Sequence, residues 1–317
     1  MKIKNFRDLA INDSRKKALT IAEAGLQAID TESVLKSLVS LKDGLLYIGD
    51  KQFILKNIKK LIFVGIGKSS VESAMVFERL LSDYITKGIV LDVKEGKKLK
   101  KIKSFKGTHP LPSNQNIKFT KKILETLKGL TKNDLVIFLI SGGGSTLLCL
   151  PAKALAQTGQ PKKGDAEQEI SIISMLIKSG ATIYEMNTVR KHLSLARGGW
   201  LAKYTYPAKV VSLIFSDVSS NDMTFIASGP TCKDKTTIED AKNVLLKYKV
   251  FEGEKIKKLN LIETPKEDKY FKNLNNILAL SNQIALDVMA KKTKELGLNP
   301  IIITNKLTGE VDSVSKI

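Results

Sequence analysis

The hydrophobic positions of this chain fall into two kinds of run. One kind is short and continuous: LIFVGI (61–66), KGIVLDV (87–93), DLVIFLIS (134–141), KVVSLIFS (209–216), NILALS (276–281) and NPIIIT (299–304). Apolar runs of that length without polar alternation predict buried strands. The other kind is spaced. Residues 7–29 set Leu9, Ala10, Ala18, Ile21, Ala22 and Leu26 at helical intervals and predict an amphipathic helix. Further helices are predicted over 69–81, 117–130, 167–180, 182–196, 237–248 and 282–297, with a break near Ser179–Gly180. Thr237 stands where an N-cap belongs, and Asp240 is its capping-box partner.

Buried strands alternating with helices require a parallel sheet covered on both faces. The predicted fold is α/β, with three α/β/α layers around a mostly parallel, Rossmann-like sheet, plus the start of a second α/β domain. Residues 5–250 form the first unit. Residues 251–272 are polar, rich in lysine and glutamate, and contain Pro265, which predicts a linker or surface excursion. Residues 273–317 begin the second domain, where a strand ends at Thr304 and TGEVDSVSKI (308–317) starts a helix. A sheet that stops at a crossover helix predicts an unfinished, truncated C-terminal domain. There is no internal repeat.

Composition narrows the function classes. The net charge of +20 invites a nucleic-acid partner, but the excess is lysine spread along the chain. Arginine occurs at Arg7, Arg15, Arg79, Arg190 and Arg197 alone, with no basic stripe interleaved with aromatics. The expectation is a solvated lysine-biased surface and no nucleic-acid partner. No apolar run approaches the ~20 residues of a membrane span, and the first residues lack a signal-peptide core. Cys149 and Cys232 show neither framework nor metal-ligand spacing. A cytoplasmic protein without a membrane partner is expected.

In an open α/β sheet ligands sit beyond the carboxyl ends of the strands, so the loops there carry the candidate chemistry. Gly65-Ile66-Gly67-Lys68-Ser69-Ser70 joins a strand to a helix. It reads either as a tight turn or as a loop whose glycines and Lys68 approach an anion. It lacks the spacer of a Walker loop and the third glycine of a dinucleotide loop. Ser141-Gly142-Gly143-Gly144-Ser145 is the stronger signal. A plain turn seldom needs three glycines, whereas a nest of N–H groups around an anionic oxygen does. Asp217 and Asp222 follow the fourth strand, in a stretch that continues to Ser228-Gly229-Pro230. They read as a solvated turn, as Mg²⁺ ligands, or as a base towards a hydroxyl. Asn282, after another strand, reads equally as an N-cap. Gly107-Thr108-His109-Pro110-Leu111-Pro112 is a rigid loop. Asn187, Arg190, Lys191 and Ser194 recur at helical spacing beside His192 and Arg197. In a protein so poor in arginine this cluster reads as an anionic-substrate site, against the alternative of a solvated helix face.

FVGIGKSS, GTHPLPSNQN, DLVIFLISGGGSTLLCLP, SGATIYEMNTVRKHLSLARGGWLA, YPAKVVSLIFSDVSSNDMTFIASGPTCKDKTT and SNQIALD follow one another as in the type II D-glycerate 2-kinases, which the chain resembles from about residue 7 onward. The resemblance implies a two-domain enzyme with its site in the interdomain cleft. It implies transfer of the ATP γ-phosphoryl group to the 2-hydroxyl of D-glycerate with Mg²⁺, giving 2-phosphoglycerate. The implied catalytic residues are Lys68, Asp217 and Asp222, the two aspartates also holding the metal. Substrate or phosphate binding would fall to Gly65, Gly67, Ser69, Ser141, Gly142, Gly143, Gly144, Ser145, Asn187, Arg190, Lys191 and His192. The partners would be a small hydroxy acid, a nucleotide and a separate or missing C-terminal domain. An uncovered sheet face would favour a homo-oligomer. This chain departs from the family pattern at Ser113, where an acidic residue is common, and at Ser219-Ser220-Asn221, where a glycine is usual.

The residue types suit phosphoryl transfer, which needs positioning and charge neutralisation more than a covalent nucleophile. An oxidoreductase acting on hydroxypyruvate is the rival enzyme, with Asp92 as the acidic residue that would meet a cofactor ribose. A non-catalytic anion-binding half of a split enzyme is the rival of another class. The chain alone is expected to bind anions without turning over glycerate.

Overall fold

The computed structural model describes residues 1–96, 98–153, 166–250, 259–307, 309 and 312. An antiparallel meander, β1 (Val39–Lys42), β2 (Leu45–Ile48) and β3 (Lys51–Ile54), precedes a six-stranded sheet. The sheet holds β4 (Leu61–Ile66), β5 (Ile85–Asp92), β6 (Ile102–Lys106), β7 (Leu135–Ile140), β8 (Lys209–Phe215) and β9 (Leu274–Leu280). Its order is β6-β5-β4-β7-β8-β9, and every neighbouring pair is parallel. The chain runs outward from β4 to β6, returns to lay β7 against the other side of β4, and runs outward again. Connections leaving β4 and β7 therefore diverge, which opens a crevice at their carboxyl ends. Ile66 pairs with Ile140 at the last step of the ladder, so the two following loops start level.

Alternate residues of β4 and β7 serve opposite faces. Ile62, Val64, Val136, Phe138 and Ile140 join one apolar cluster, and Leu61, Phe63, Leu135, Ile137 and Leu139 join the other. Each side chain removed from water in this way stabilises the fold by ~1.5–3 kcal/mol. The first cluster takes Ile117, Ile123 and Leu124 from the helix Asn114–Thr126. The second takes Val71, Ala74, Phe77 and Leu81 from Ser70–Leu81, Val34 and Leu35 from Thr31–Leu38, and Leu46 and Ile48 from the meander. These are the three expected α/β/α layers. A third cluster joins the helices Glu167–Lys178, Ile183–Leu193 and Ile238–Lys247 through Ile172, Leu176, Val189 and Leu245. Thr237 and Asp240 form the expected capping box.

Several elements differ from expectation. The helix expected over 7–29 is two, Phe6–Leu9 and Asp13–Ala28, because Asn12 caps the second by accepting from the Arg15 N–H at 2.9 Å. The meander, β6 and the helix Thr31–Leu38 were not foreseen. Residues 299–304 form no strand, and Ile301 is 87% exposed. β9, expected in a second domain, is hydrogen-bonded to β8 and completes the first sheet. The helix after it, Asn282–Glu295, lies on Asp13–Ala28 so closely that a Cβ on Gly25 would stand 2.7 Å from Met289 Cγ. The expected linker is no free tether in its described part, since the Ile262 N–H donates to His192 O at 2.8 Å and Leu259 and Thr264 are buried. Residues 251–258 and most of the helix expected over 308–317 lie outside the described residues. Among the described residues no helix is long and apolar enough to cross a membrane.

Candidate functional site

The loop after β4 is stitched to the loop after β7. Gly67 N–H donates to Leu91 O at 3.1 Å, Lys68 N–H to Gly142 O at 3.0 Å and Ser69 N–H to Ser141 Oγ at 3.3 Å. These donors are satisfied by protein, so none of them is left for a ligand. Gly67 has φ +115°, and a Cβ there would stand 2.3 Å from Ser141 Oγ. At Gly65 a Cβ would stand 2.7 Å from Val90 Cγ1. The phosphate cradle expected from the N–H groups of Gly67 and Ser69 is thus spent on Leu91 and Ser141, and the missing side chains of Gly65 and Gly67 let two strand ends close on each other. Ser141 shares that role, buried with its hydroxyl directed at Ile66 O.

What this loop gives to the crevice is the Lys68 side chain. Its Cε lies 3.3 Å from the point where a Gly143 Cβ would be, and His109 Cδ2 lies 3.3 Å from the same point. Around them opens a cavity of about 700 Å³ whose lining includes Gly142, Gly143, Ser145, Asn187, Arg190 and Asp217. Among the described residues the N–H groups of Gly142 and Gly143 have no acceptor. The three glycines do different things. Gly142 lies under Asp217, where a Cβ would stand 1.9 Å from Oδ2, and Gly144 lies against Ala227 at 2.5 Å. Gly143, at φ +85°, is the glycine that faces Lys68 and His109.

The far wall is the helix Ile183–Leu193, started by a Thr182–Glu185 capping box. Glu185 also takes Lys247 Nζ at 2.6 Å and the Tyr248 hydroxyl at 2.8 Å. Its carboxyl is lowered to about 2, chiefly by Lys247 and then by Thr182. Asn187 and Arg190 share the face towards the cavity. Burial lowers the Arg190 pKa, Arg197 lowers it further, and Glu169 opposes. A guanidinium nevertheless stays charged at neutral pH. Arg197 is fully buried, pairs with Glu169 at 2.7 Å, and donates to Arg190 O at 3.2 Å, which pins the helix end. Among the described residues neither Lys68 nor Arg190 has an ion-pair partner.

Lys191 and His192 do not reach the cavity. One residue further on is about 100° further round a helix, and there Lys191 Nζ meets Asp234 Oδ1 at 3.0 Å, both groups buried. Burial works to raise the Asp234 carboxyl, but Lys191 and Thr236 outweigh it and the net shift is downward. His192 Nδ1 donates to Ile262 O at 2.8 Å, and Nε2 lies 3.2 Å from Thr236 Oγ1. The binding role expected of these two is therefore a structural one, holding the helix to segments 234–236 and 262–264.

Two residues outside the expected set belong to the site. Ser228 lies in a left-handed run, Ala227 φ +53°, Ser228 φ +58° and Gly229 φ +57°. Such backbone is strained for residues with a Cβ and persists where its surroundings demand it. Its hydroxyl donates to Asn187 Oδ1 at 2.7 Å and lies 2.9 Å from Ser145 Oγ, so it ties the glycine loop to the far wall. His109 lines the cavity, and its pKa is lowered by burial, then by Lys68 and Arg190, against a smaller pull from Asp217. The rarity of histidine, in a rigid GTHPLP loop, was the available signal for it.

Both aspartates expected to hold a metal line the cavity. Asp222 closes a turn, with Oδ1 accepting from Thr224 N–H at 2.8 Å and Oγ1 at 2.7 Å. Asp217 is exposed. Among the described residues no cluster of three or more His, Cys, Asp or Glu could cage a metal ion. Mg²⁺ is commonly held by one or two carboxylates together with substrate phosphates and waters, and Asp217 with Asp222 Oδ2 fits that pattern. Asp92 is different. It is buried, and it accepts from Val71 N–H at 3.0 Å, Val93 N–H at 2.6 Å and Lys94 N–H at 3.1 Å.

Fold and cavity together define a parallel α/β protein with a cationic, glycine-floored site at the switch point of its sheet. Residues 17–260 match the family described as a domain of unknown function, DUF4147. The glycerate 2-kinase of Pyrococcus horikoshii is 35% identical over 309 residues, which cover 94% of this chain and 66% of that protein. A putative hydroxypyruvate reductase of Agrobacterium vitis is 37% identical over 263 residues, covering 81% and 57%. The crystal structure of a glycerate kinase (EC 2.7.1.31) from Thermotoga maritima superposes with a TM-score of 0.75 at 34% identity, covering 91% of this chain and 64% of that one. This chain belongs to the glycerate kinase family. It spans about two thirds or less of the length of these relatives.

Proposed function

We propose that this protein transfers the γ-phosphoryl group of ATP to the 2-hydroxyl of D-glycerate. The observation that carries this reading is the convergence of two cations on Gly143, Arg190 from the cavity wall and Lys68 packed against Gly143, both without ion-pair partners among the described residues, beside the free N–H groups of Gly142 and Gly143. Phosphoryl transfer asks for such preorganised positive charge where negative charge spreads in the transition state. Lys68 and the Gly142–Gly143 N–H groups receive the transferred phosphoryl oxygens. Arg190, planar and able to bond bidentately, takes a carboxylate or phosphate. Asp217 and Asp222 would hold Mg²⁺ together with the nucleotide, and the ion would supply charge neutralisation at the phosphates. His109, kept neutral by burial and by the neighbouring cations, can accept the hydroxyl proton.

The oxidoreductase reading is less well supported, although a relative bears that name. Asp92, the carboxylate that would meet a cofactor ribose, is buried under three backbone N–H groups. We place the reaction in the cytoplasm, where the buried thiols of Cys149 and Cys232 stay reduced. The test is to incubate the protein with ATP, Mg²⁺ and D-glycerate and follow products by ³¹P NMR, which separates 2- from 3-phosphoglycerate. Glycerate-dependent appearance of 2-phosphoglycerate is expected, in contrast to the anion binding without turnover expected from the sequence, because Arg190, Lys68 and the Gly142–Gly143 N–H groups already meet in this chain. ATP binding that is absent, combined with reduction of hydroxypyruvate by NADH, would overturn the kinase reading.

A further inference from the structure

The cavity has an apolar end that a three-carbon hydroxy acid cannot use. Ile177, Ile183 and Tyr184 line it and are 56%, 55% and 56% exposed, on two helices whose other apolar residues are buried or partly buried. The Tyr184 ring stands 5.4 Å from that of Phe225, centroid to centroid, and Phe225 also lines the cavity. Large apolar side chains left this exposed in a concave site mark a ligand with apolar surface of its own. Glycerate carries a hydroxyl, a hydroxymethyl and a carboxylate, and has no such surface. A nucleobase has two flat faces.

The helix Ile183–Leu193 sets the order of contacts. Tyr184, Asn187 and Arg190 recur every three residues, so they follow one another at about 4.5 Å along one side of the helix. The sequence of chemistries along the cavity is therefore aromatic, amide, guanidinium. Asn187 is 2% exposed, and its Oδ1 is taken by the Ser228 hydroxyl, which turns the amide nitrogen towards the cavity. That nitrogen has no acceptor among the described residues. It is open to the cavity, where a ligand can supply an acceptor. Base, sugar and phosphate present the complementary series: a flat apolar ring, hydroxyl acceptors, then anionic oxygens.

We propose that the nucleotide lies along this helix, with its base against Tyr184, Phe225, Ile177 and Ile183, its sugar at the Asn187 amide, and its phosphates towards Arg190, Gly143 and Lys68. The hydroxy acid then enters from the opposite side, by His109 and Asp217. This assignment rests on the kinase reading and names the subsites within it.

The experiment measures equilibrium binding of Mg·ADP and of Mg·tripolyphosphate to the protein and to Tyr184→Ala, Tyr184→Phe and Ile177→Ser. Tyr184 and Ile177 are more than half exposed, so these variants fold. A base stacked on an aromatic ring contributes enough that Tyr184→Ala should weaken ADP about tenfold. Tripolyphosphate, which has no base, should bind every variant within twofold of the wild type, and Tyr184→Phe should keep ADP affinity. With glycerate present, KM for ATP should rise in Tyr184→Ala while KM for glycerate holds. If the wild type binds ADP and both Tyr184→Ala and Ile177→Ser bind it equally well, the subsite assignment is wrong and the kinase reading survives. If the wild type binds ADP no tighter than tripolyphosphate, the base has no subsite and the assignment again fails. If the wild type binds neither, the kinase reading falls and takes the assignment with it.

Discussion

Ser228 Oγ donates to Asn187 Oδ1 at 2.7 Å, joining a left-handed loop behind the cavity to the helix that carries Arg190. Both side chains are buried. Removing the donor leaves a buried amide oxygen unsatisfied, at a cost of about 1–3 kcal/mol. It also frees Asn187 to turn. Ser228→Ala should lower the denaturation midpoint and reduce kcat/KM about tenfold, while Ser228→Thr should keep neither the packing nor the geometry. Unchanged kinetics in Ser228→Ala, with the expected loss of stability, would make the bond structural alone.

Lys68 has no counter-ion among the described residues and is exposed, packed against Gly143 beside His109 at the edge of the cavity. Its charge therefore acts on a ligand and not on the fold. Lys68→Met should lose at least about two orders of magnitude in kcat, with a denaturation midpoint close to wild type. A steady-state rate within a few-fold of wild type would remove Lys68 from the mechanism.

Arg190 differs from Lys191 in facing the cavity. Planar bidentate binding is not reproduced by an ammonium group. Arg190→Lys should raise KM for ATP or for glycerate about tenfold, a change read directly from initial rates. Lys191→Met should act differently, by leaving the buried Asp234 with only the longer 4.0 Å pairing to Lys266 and its bonds from Thr236 and Thr264, and should destabilise by about 1–3 kcal/mol. If the two variants showed the same phenotype, the division of roles along this helix would be mistaken.

Gly67 takes φ +115° with Ser141 Oγ 2.3 Å from its would-be Cβ. Gly67→Ala should strain the backbone and force the two loops apart, destabilising by more than about 1 kcal/mol. A Ser141→Gly partner change removes the nearest atom and should restore part of the loss. Chemical denaturation of the single and double variants measures both effects, and a Gly67→Ala protein as stable as wild type would contradict the close approach.

Burial lowers the pKa of His192, against the opposing pull of Ile262 O, Asp234 and Glu263, with Lys266 adding to the lowering. The unfolded chain takes up this proton near its ordinary pKa of about 6.5, before the folded chain does. Stability is therefore full above about pH 6.5 and falls as pH drops through the window below it. Urea midpoints at pH 7.5 and 5.5 should differ for the wild type and differ less for His192→Gln. An identical pH dependence in both would show that another group is responsible.

Much of the sheet was legible because continuous apolar runs report burial directly. β4, β7 and β8 are strands whose every residue but Lys209 is buried, as LIFVGI, DLVIFLIS and KVVSLIFS read. The meander was less visible, since its strands have four residues each. Its signal was Asp43-Gly44, both at positive φ in a hairpin turn. NPIIIT reads like a strand, yet a strand exists through its neighbours, and none lies beside it among the described residues.

The amino-acid sequence by itself determined the parallel α/β class, the glycine-rich loop after β7, and the prominence of Lys68 and Arg190. Each follows from local composition: apolar period, absent side chains, a rare residue type. Only the tertiary structure decided that Gly67 closes a loop while Gly143 faces the site, that Asp92 is enclosed, and that Arg190 faces the cavity while Lys191 and His192 face away. These are questions of which distant atom completes a hydrogen bond or an ion pair. A buried donor or charge takes whatever partner the packed chain brings within about 3 Å, and Asp234 lies 43 residues from the Lys191 it satisfies.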